Sequence, residues 1–183
     1  PRKLPEALIE ASKATVLHGR AVGIHMNDNN VSCVEAESGE KFPCDVLVMA
    51  MGAWSQEIAE WFPRLKPLLK DTVGKKYTSV IWDAVCDNTA VFLESEHQIE
   101  IYPRVDEVYS NGCPLYEKLP SDPATIEPDP DNVETIRTEV GRLSTRLAGA
   151  PVKRATACFL PSSADGSPVV GRIPGARNSY VAC

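Results

Sequence analysis

The alternation of apolar and polar positions predicts a helix followed by a hairpin at the start of the chain. Residues 4–13 carry apolar side chains at helical spacing, which predicts a helix. Residues 14–24, interrupted at Gly19, and residues 31–37 have the β-branched and alternating character of strands. The turn-forming residues 26–30 lie between these two segments, so we expect them to pair as a β-hairpin.

A near-continuous apolar run at residues 44–51 is typical of a strand that is buried on both faces. Gly52 ends this run. Residues 53–61 then show helical apolar spacing, with Ser55 as the capping residue. The pattern predicts a buried strand, a tight glycine turn and a helix in direct succession. Many α/β sheets share that arrangement, so on its own it indicates only packing.

The middle of the chain has the pattern of a mostly antiparallel sheet. Its short apolar segments, separated by polar turns, are residues 76–85, 90–94, 99–104 and 107–112. Prolines crowd residues 114–130 and predict an exposed loop, because proline is excluded from helix interiors.

The clearest helix is expected after this loop. Asp131 or Asn132 can cap it, its apolar face runs to Leu147, and Gly149 ends it. Beyond it, the pattern predicts a strand at residues 152–159, a loop at 161–174 and a strand at 178–183.

Composition excludes several classes of function. The 183 residues are 43% hydrophobic and 24% charged, as in an ordinary globular protein. A net charge of -6 with scattered basic residues gives no surface for nucleic acid. No apolar stretch approaches the roughly 20 residues that cross a bilayer, so we expect a soluble protein without a membrane span.

Six cysteines are spaced too widely for a metal site and without any Cys-x-x-Cys pair. Cys33, Cys44 and Cys158 lie in apolar runs, which favours buried free thiols over disulfides. Free thiols indicate the cytoplasm or another reducing compartment.

Two segments together resemble one family. Residues 44–55, which read CDVLVMAMGAWS after the hairpin, are similar to a glycine crossing in FAD-dependent oxidoreductases of the D-amino-acid oxidase type. Asp165, Gly166, Pro168 and Gly171 match the Asp-Gly-x-Pro-x-x-Gly pattern of that family's C-terminal loop. The resemblance covers essentially all of the chain, with the middle sheet less specific than its flanks.

The resemblance implies a mixed α/β fold that combines part of an FAD-binding, Rossmann-like domain with a mostly antiparallel substrate sheet and flanking helices. Residues 1–66 and 161–183 would belong to the FAD domain and residues 67–160 to the substrate domain. The cofactor-binding residues that it implies are Val22, Ala50, Gly52, Trp54, Asp165, Gly166, Pro168 and Gly171. Tyr102, Arg104 and Leu160 would line the substrate, and no residue is assigned a catalytic role.

The family's glycine-rich phosphate turn is absent from the sequence, and the first residue is Pro1 rather than Met. We therefore expect the phosphate-binding strand to lie before Pro1 and a flavin-facing segment to follow Cys183. On this interpretation the chain is an internal piece of a longer enzyme and is inactive alone.

Leu160 departs from the family pattern. In the family's amino-acid oxidases, an arginine at this position binds the substrate carboxylate, a contact that leucine cannot make. Arg104 and Arg154 are the alternative cations, but each better fits a solvent-facing strand position. The resemblance therefore implies that an amine or amino-acid-like substrate, without a clamped carboxylate, transfers a hydride to flavin N5. The alternative is a non-catalytic scaffold derived from a flavoprotein, which Leu160 and the acidic, proline-rich loop at residues 121–131 favour.

Overall fold

The computed structural model describes residues 3–70 and 72–183, which form a mixed α/β fold. Pro1, on which the expected internal start rests, lies outside the described residues, as does Arg2. The α-helices are α1 Lys3–Ser12, α2 Ile58–Trp61, α3 Lys66–Leu69, α4 Pro130–Leu143 and α5 Thr145–Ala148. The strands are β1 Ala21–Asn27, β2 Asn30–Ala36, β3 Lys41–Pro43, β4 Leu47–Met49, β5 Val73–Trp82, β6 Val91–Phe92, β7 Glu100–Pro103, β8 Val108–Tyr116, β9 Val152–Ser162, β10 Val170–Arg172 and β11 Ser179–Ala182. Short 3-10 helices occur at Gly52–Glu57, Pro63–Leu65 and Pro123–Thr125.

The chain divides into two units. One comprises the chain up to Leu47 together with Gly175–Ser179, and the other comprises Val48–Pro174 with Tyr180–Cys183. The predicted mixed α/β fold, with an antiparallel sheet and flanking helices, is confirmed. The assignment of the three stretches to FAD and substrate domains stays a prediction.

In the first unit, the predicted helix and hairpin are confirmed as α1 and the antiparallel pair β1–β2, which β3 extends. The strand expected over residues 14–24 begins only at Ala21. Ala21 pairs with Ala36, the last residue of β2, so the residues before it have no opposing strand. Asn178 stabilises the hairpin through two hydrogen bonds to Val31. Its amide oxygen accepts from the backbone N–H of Val31 and its amide nitrogen donates to the carbonyl of Val31, each at 2.8 Å.

The apolar run at residues 44–51 was expected to be a strand buried on both faces, and this is wrong. β4 covers only three of these residues, and Val48 in its middle is 60% exposed. The reason is position: β4 is an edge strand of the sheet β10–β11–β4, with a hydrogen-bonded neighbour on one side. Within this run only Met49 belongs to the buried core.

The helix predicted to follow Gly52 with a Ser55 cap is also corrected. Gly52–Glu57 is a 3-10 helix, and only Ile58–Trp61 is α-helical. The Ser55 hydroxyl donates to the carbonyl of Gly52 at 2.7 Å instead of capping a helix. This bond spans three residues and matches the tighter 3-10 turn.

The second unit is built on a five-stranded sheet with the strand order β6-β7-β8-β5-β9, and its predicted antiparallel pairing is confirmed. Ile136 and Val140 of α4 pack against one face of this sheet, where Val80 and Trp82 of β5 are fully buried. The Trp82 indole donates to Ser110 Oγ at 2.8 Å, so the largest buried side chain keeps its one polar atom bonded.

The single helix expected to run to Leu147 is two helices. Asp129, rather than Asp131 or Asn132, caps α4, since its side chain accepts from the backbone N–H of Asp131. The chain then leaves helical geometry at Ser144, whose side chain accepts from the N–H of Leu147 and caps α5. Serine competes with the helix backbone in this way and therefore favours caps over helix interiors.

Gly112 lies where the sheet meets the core, and a larger residue does not fit. A Cβ there would lie 2.5 Å from Ile99 Cδ1 and 2.8 Å from the backbone oxygen of His97. We expect Gly112→Ala to lower the free energy of unfolding by about 1–3 kcal/mol, measured by urea denaturation. Gly149→Ala is the control because nothing lies within 4 Å of its Cβ position. Equal stability of the two variants would contradict this packing.

All six cysteines are free thiols. Cys113 is buried, and this burial raises the pKa of its thiol to about 11. Cys158 is exposed, contrary to expectation, and Cys33 and Cys44 are only partly buried. Cys158 lies on the face of β9 that points away from the covered core, where side chains of this strand alternate between exposed and half-buried.

Among residues 3–70 and 72–183, no helix has the length and apolar character needed to cross a membrane. The same residues contain no group of three or more His, Cys, Asp or Glu side chains arranged to hold a metal ion.

Candidate functional site

The chain turns at Gly52 from β4 into the 3-10 helix Gly52–Glu57, and we call this turn the crossing. Its backbone is not covered by side chains of the described residues. Gly52 has φ +54°, in the left-handed region that favours glycine. No heavy atom of the described chain lies within 4 Å of the position that a Cβ would take. Ala50, just before it, is exposed. The backbone here can therefore be approached closely by a group from outside the chain.

Trp54, two residues further on, is held by packing. Its indole N–H donates to the carbonyl of Pro120 at 2.8 Å, and its ring meets Phe159 edge-on at 6.2 Å. Since this N–H is the only donor of the side chain, it is already used within the fold. The structure thus gives Trp54 a structural contact, and a contact with a cofactor stays a prediction.

The loop that carries the Asp-Gly-x-Pro-x-x-Gly pattern is shaped by Asp165. Its Oδ1 accepts from the backbone N–H of Ser167 at 3.0 Å and from the hydroxyl of Ser163 at 3.2 Å. These hydrogen bonds lower the pKa of the Asp165 carboxyl. Gly166 follows with φ +71°, which completes the turn. Asp165 therefore acts on the loop's own backbone.

A cavity of about 240 Å³ lies beside this loop. Its lining includes Gly166, Pro168, Val169, Thr72 and Cys183. Val169 and Cys183 exchange two backbone hydrogen bonds, at 2.8 and 3.0 Å, which fix one wall. The hydroxyl of Thr72 is buried and has no hydrogen-bond partner among the described residues. A buried polar atom of this kind is the place where a ligand with hydrogen-bonding groups would be stabilised.

Gly171 continues the pattern on β10, where it pairs with Val181 of β11. As at Gly52, nothing in the described chain lies within 4 Å of its Cβ position.

Val22 lies in the first unit, on β1, at an irregularity in the pairing with β2, and is 46% exposed. Its predicted cofactor contact is not tested by this placement and stays a prediction.

We expect the Asp165 loop to loosen when its carboxyl is protonated. A depressed pKa means that the hydrogen bonds are fully present above the unfolded-state value of about 4. They are lost as the pH falls through the lower, folded-state pKa. Hydrogen exchange of the Ser167 amide should therefore accelerate at acidic pH, relative to the intrinsic rate, and at all pH values in Asp165→Ala. Identical protection of this amide in the variant and the wild type would contradict the assignment.

One face of the five-stranded sheet carries four of the protein's five tyrosines, and we call it the tyrosine face. Its tyrosines are Tyr77, Tyr102, Tyr109 and Tyr116. The helix α4 and the 3-10 helix Gly52–Glu57 pack on the opposite face. On β9, the side chains that share the tyrosine face, Thr156, Cys158 and Leu160, are exposed.

A polar network lies at one end of the tyrosine face. Glu100 Oε2 accepts from the hydroxyl of Tyr102 at 2.8 Å and from the amide of Asn111 at 3.2 Å. The pKa of Tyr102 is raised to about 12, mainly by the hydrogen bond to Glu100 and secondly by burial. Tyr109 and Ser79 share a hydrogen bond of 2.9 Å between their hydroxyls. The network presents one carboxylate framed by phenol groups.

Arg104, one of the two alternative cations, is already occupied. Its Nη1 lies 2.7 Å from a carboxylate oxygen of Glu107, and its guanidinium stacks over Tyr109 at 4.8 Å from the ring centre. Arg154, the other alternative, is exposed on β9, opposite Ile81. Arg104 therefore holds the β7–β8 turn in place and is not available as an unpaired cation.

The structure does not bring Leu160 together with Tyr102 and Arg104. Tyr102 pairs with Tyr109, which in turn pairs with Ile81 of β5. Leu160 pairs with Lys75, six residues earlier on β5, and this separation corresponds to about 20 Å along the strand. The three predicted substrate-lining residues therefore lie at opposite ends of the sheet.

Two charged residues on the tyrosine face were missed in the sequence. Glu100 lies within a predicted strand, but the sequence does not show which side chains its carboxylate contacts. Lys75 lies one residue before the predicted start of β5 at residue 76, whereas the strand begins at Val73. The alternation of β5 extended back to Val73 would have placed Lys75 on the same face as Tyr77.

The family model described as FAD dependent oxidoreductase (DAO) matches residues 1–183. The chain belongs to this family. It is also 32% identical, over 136 residues, to a Schizosaccharomyces pombe protein whose name describes it as a candidate oxidoreductase. That match covers 69% of this chain and 34% of the relative, so the chain spans about a third of the relative's length.

Solved structures of two oxidases and a dehydrogenase share the fold of this chain. Glycine oxidase from Geobacillus kaustophilus matches with a TM-score of 0.78 at 18% identity, covering 94% of this chain and 44% of that one. L-proline dehydrogenase from P. horikoshii gives 0.72 at 17% identity, covering 89% and 43%. Iminodiacetate oxidase from Chelativorans gives 0.72 at 15% identity, covering 96% and 46%. The chain thus corresponds to less than half of each of these proteins.

The residues of the crossing and the loop fit the cofactor of the FAD-dependent oxidoreductase family. Gly52 and Gly171 leave backbone uncovered where a side chain would otherwise project, as a large planar ring requires. Thr72, whose buried hydroxyl has no hydrogen-bond partner among the described residues, lines the cavity beside the loop together with Ser162, Ser163 and Ser167. Both observations are compatible with FAD, which combines a flat ring with many hydrogen-bonding atoms.

Proposed function

We propose that the protein containing this chain is an FAD-dependent oxidoreductase that oxidises a small-molecule amine or amino-acid-like substrate. The observation that carries the proposal is the tyrosine face, an aromatic surface with a carboxylate at Glu100. Aromatic walls exclude water from a reacting carbon, and a carboxylate attracts an ammonium group. These are the two properties that a site for amine oxidation needs.

In this proposal the bare backbone at Gly52 and the loop from Asp165 to Gly171, with Gly166 and Pro168, hold FAD. Ala50 and Trp54 are the further cofactor contacts. FAD held there would supply the acceptor for a hydride from the carbon bearing the amine. Residues 1–66 and 161–183 then serve the cofactor and residues 67–160 the substrate.

The substrate amine must give up its ammonium proton before a hydride can leave the carbon that bears it, and Tyr102 is not the group that takes this proton. With a pKa of about 12, the Tyr102 phenol stays protonated at neutral pH and acts as a donor to Glu100. It is therefore not a general base. Hydrogen bonds from Tyr102 and Asn111 hold the carboxyl group of Glu100 in a fixed position on the tyrosine face, where it can accept a hydrogen bond from the substrate amine.

The printed names of similar structures support this substrate class. Glycine oxidase, L-proline dehydrogenase and iminodiacetate oxidase are each named for a compound that carries both an amine and a carboxylate. The second candidate function is a non-catalytic scaffold. It is favoured by Leu160, an apolar side chain that is 51% exposed where the family's amino-acid oxidases have an arginine.

Anaerobic reduction of the flavin separates the two functions. The full-length protein, loaded with FAD, is mixed without oxygen with a panel of amines and amino acids and, as matched controls, with 2-hydroxy acids of the same carbon skeleton. We expect amines to bleach the flavin absorbance and the hydroxy acids to leave it unchanged. Failure of every amine to bleach it would refute the proposed oxidation and favour the scaffold.

A further inference from the structure

Lys75 is a cation on the tyrosine face, directly beside Leu160. On one side it pairs with Leu160 of β9 and on the other with Tyr116 of β8. Directly opposed residues of antiparallel strands project from the same face, about 5 Å apart at their Cβ atoms. Lys75 therefore occupies the same part of the surface as the leucine that replaces the family's carboxylate-binding arginine.

The ammonium group of Lys75 is held between aromatic rings. Its Nζ lies 5.4 Å from the ring centre of Tyr77 and 5.7 Å from that of Tyr116. It also donates to Gln98 Oε1 at 3.4 Å, which is a long hydrogen bond. Two rings and an amide oxygen keep the side chain on the sheet without neutralising its charge.

Lys75 differs in this respect from its neighbour Lys76. Lys76 lies on the opposite face, and its Nζ is 3.1 Å from a carboxylate oxygen of Glu117. Within residues 3–70 and 72–183, no carboxylate lies within 4 Å of the Lys75 ammonium. Among the described residues, the positive charge of Lys75 is therefore not paired with a carboxylate and is free to bind an anion.

Gln98 is placed by a strained backbone. It has φ +46°, and Cys113, whose N–H donates to the carbonyl of His97 at 2.7 Å, has φ +53°. A left-handed backbone is unfavourable for a residue with a Cβ, and strain of this kind clusters at functional sites. The result is that Gln98 Oε1 accepts from both Tyr77, at 3.1 Å, and Lys75.

The same glutamine connects Lys75 to the acidic end of the face. Gln98 and Glu100 line a cavity of about 570 Å³, together with Glu94, Glu96 and Phe92. Lys75 does not itself line this cavity, so Gln98 lies between the cation at one end of the tyrosine face and the carboxylates of the cavity.

We infer that Lys75 is a specificity-determining residue that binds the carboxylate of an amino-acid-like substrate, with Gln98 as its positioning residue. This inference rests on the proposed function and narrows the substrate to an amine that carries a carboxylate. It revises the sequence-based expectation from Leu160: the bidentate arginine contact is replaced by a point charge from the adjacent strand. Leu160 and the two tyrosines beside Lys75, Tyr77 and Tyr116, would pack against the apolar part of the ligand.

The test uses the FAD-loaded full-length protein and two probes of the same shape, propionate and propionamide. Binding is measured by calorimetry, which needs no turnover. We expect Lys75→Met to weaken propionate binding about tenfold or more and to leave propionamide binding unchanged, because only propionate carries the charge. Lys75→Arg should retain most of the propionate affinity. Lys76→Met, on the opposite face, is the matched control and should bind both probes as the wild type does.

Propionate binding that is the same in Lys75→Met as in the wild type, or a wild type that does not prefer propionate to propionamide, would overturn the inference. If Lys75→Met does not fold, Gln98→Ala decides: reduced propionate binding with unchanged propionamide binding supports the inference, and unchanged binding of both overturns it. Failure of the proposed function is separate, because a protein that no amine reduces can still bind propionate through Lys75. Conversely, amine oxidation with Lys75-independent propionate binding refutes only the role of Lys75.

Discussion

Gly52→Ala in the full-length protein is expected to weaken FAD binding by about 5- to 150-fold. The added methyl group would project into the open space beside the crossing, where the flavin is proposed to approach the backbone. Forcing a methyl group into such a contact costs about 1–3 kcal/mol, which corresponds to this range of affinity. The dissociation constant can be measured by titrating the apoprotein with FAD and following flavin fluorescence.

The control for this variant is Gly39→Ala. Gly39 lies in the turn between β2 and β3, has φ +84° and likewise has nothing within 4 Å of its Cβ position. An alanine at either site therefore meets the same left-handed backbone strain, of about 1–2 kcal/mol. Only Gly52 is proposed to face the cofactor, so equal FAD affinities of the two variants would contradict its assignment.

Trp82→Ala is expected to lower the free energy of unfolding by about 3–5 kcal/mol. Trp82 is 1% exposed and lies at the centre of the cluster that joins the sheet to α4. Its removal leaves a large cavity beside Ile136 and Val140, and it also deprives Ser110 of the indole donor. Urea denaturation monitored by circular dichroism gives the difference in unfolding free energy directly.

Two further variants calibrate this result. Val105→Ala, at a side chain that is 94% exposed, should change stability by no more than about 0.5 kcal/mol. Trp82→Phe keeps most of the buried ring but loses the hydrogen bond, so its loss should be smaller than that of Trp82→Ala. A Trp82→Ala protein as stable as Val105→Ala would show that the core does not depend on this residue.

The parts of the fold that were predicted correctly are those encoded by local pattern. The spacing of apolar residues near Leu8 gives α1, and the turn residues around Asn29 join two alternating segments into the β1–β2 hairpin. The antiparallel strands of the larger sheet follow from the same alternation. Each of these signals lies within a few residues of the structure that it specifies.

The incorrect predictions are those in which position in the sheet or a side-chain hydrogen bond outweighs the apolar pattern. An apolar run cannot reveal that β4 is an edge strand, so the exposure of Val48 could not be predicted. Leu147 continues the apolar spacing of α4 although the helix breaks at Ser144, because α5 again directs the Leu147 side chain into the core. The apolar pattern therefore does not show the break. The Ser55 hydroxyl was assigned to a cap and instead bonds to Gly52.

The candidate site shows the same division. Gly52 and Asp165 could be singled out in the sequence through their resemblance to the family's segments, and the structure gives Gly52 a left-handed φ and Asp165 a hydrogen bond to the backbone of its own loop. The pairing of Lys75 with Leu160 could not be found, because it depends on the register of two strands far apart in the chain. The same register separates Leu160 from Tyr102.

Equilibrium binding of FAD to the full-length protein measures most directly whether this chain forms part of a flavin site. We expect one FAD per chain, with the absorbance and fluorescence of the flavin changed on binding, because the crossing at Gly52 and the Asp165 loop are proposed to contact it. A folded full-length protein that leaves both signals of FAD unchanged at saturating concentration would contradict the assignment of this chain to FAD binding.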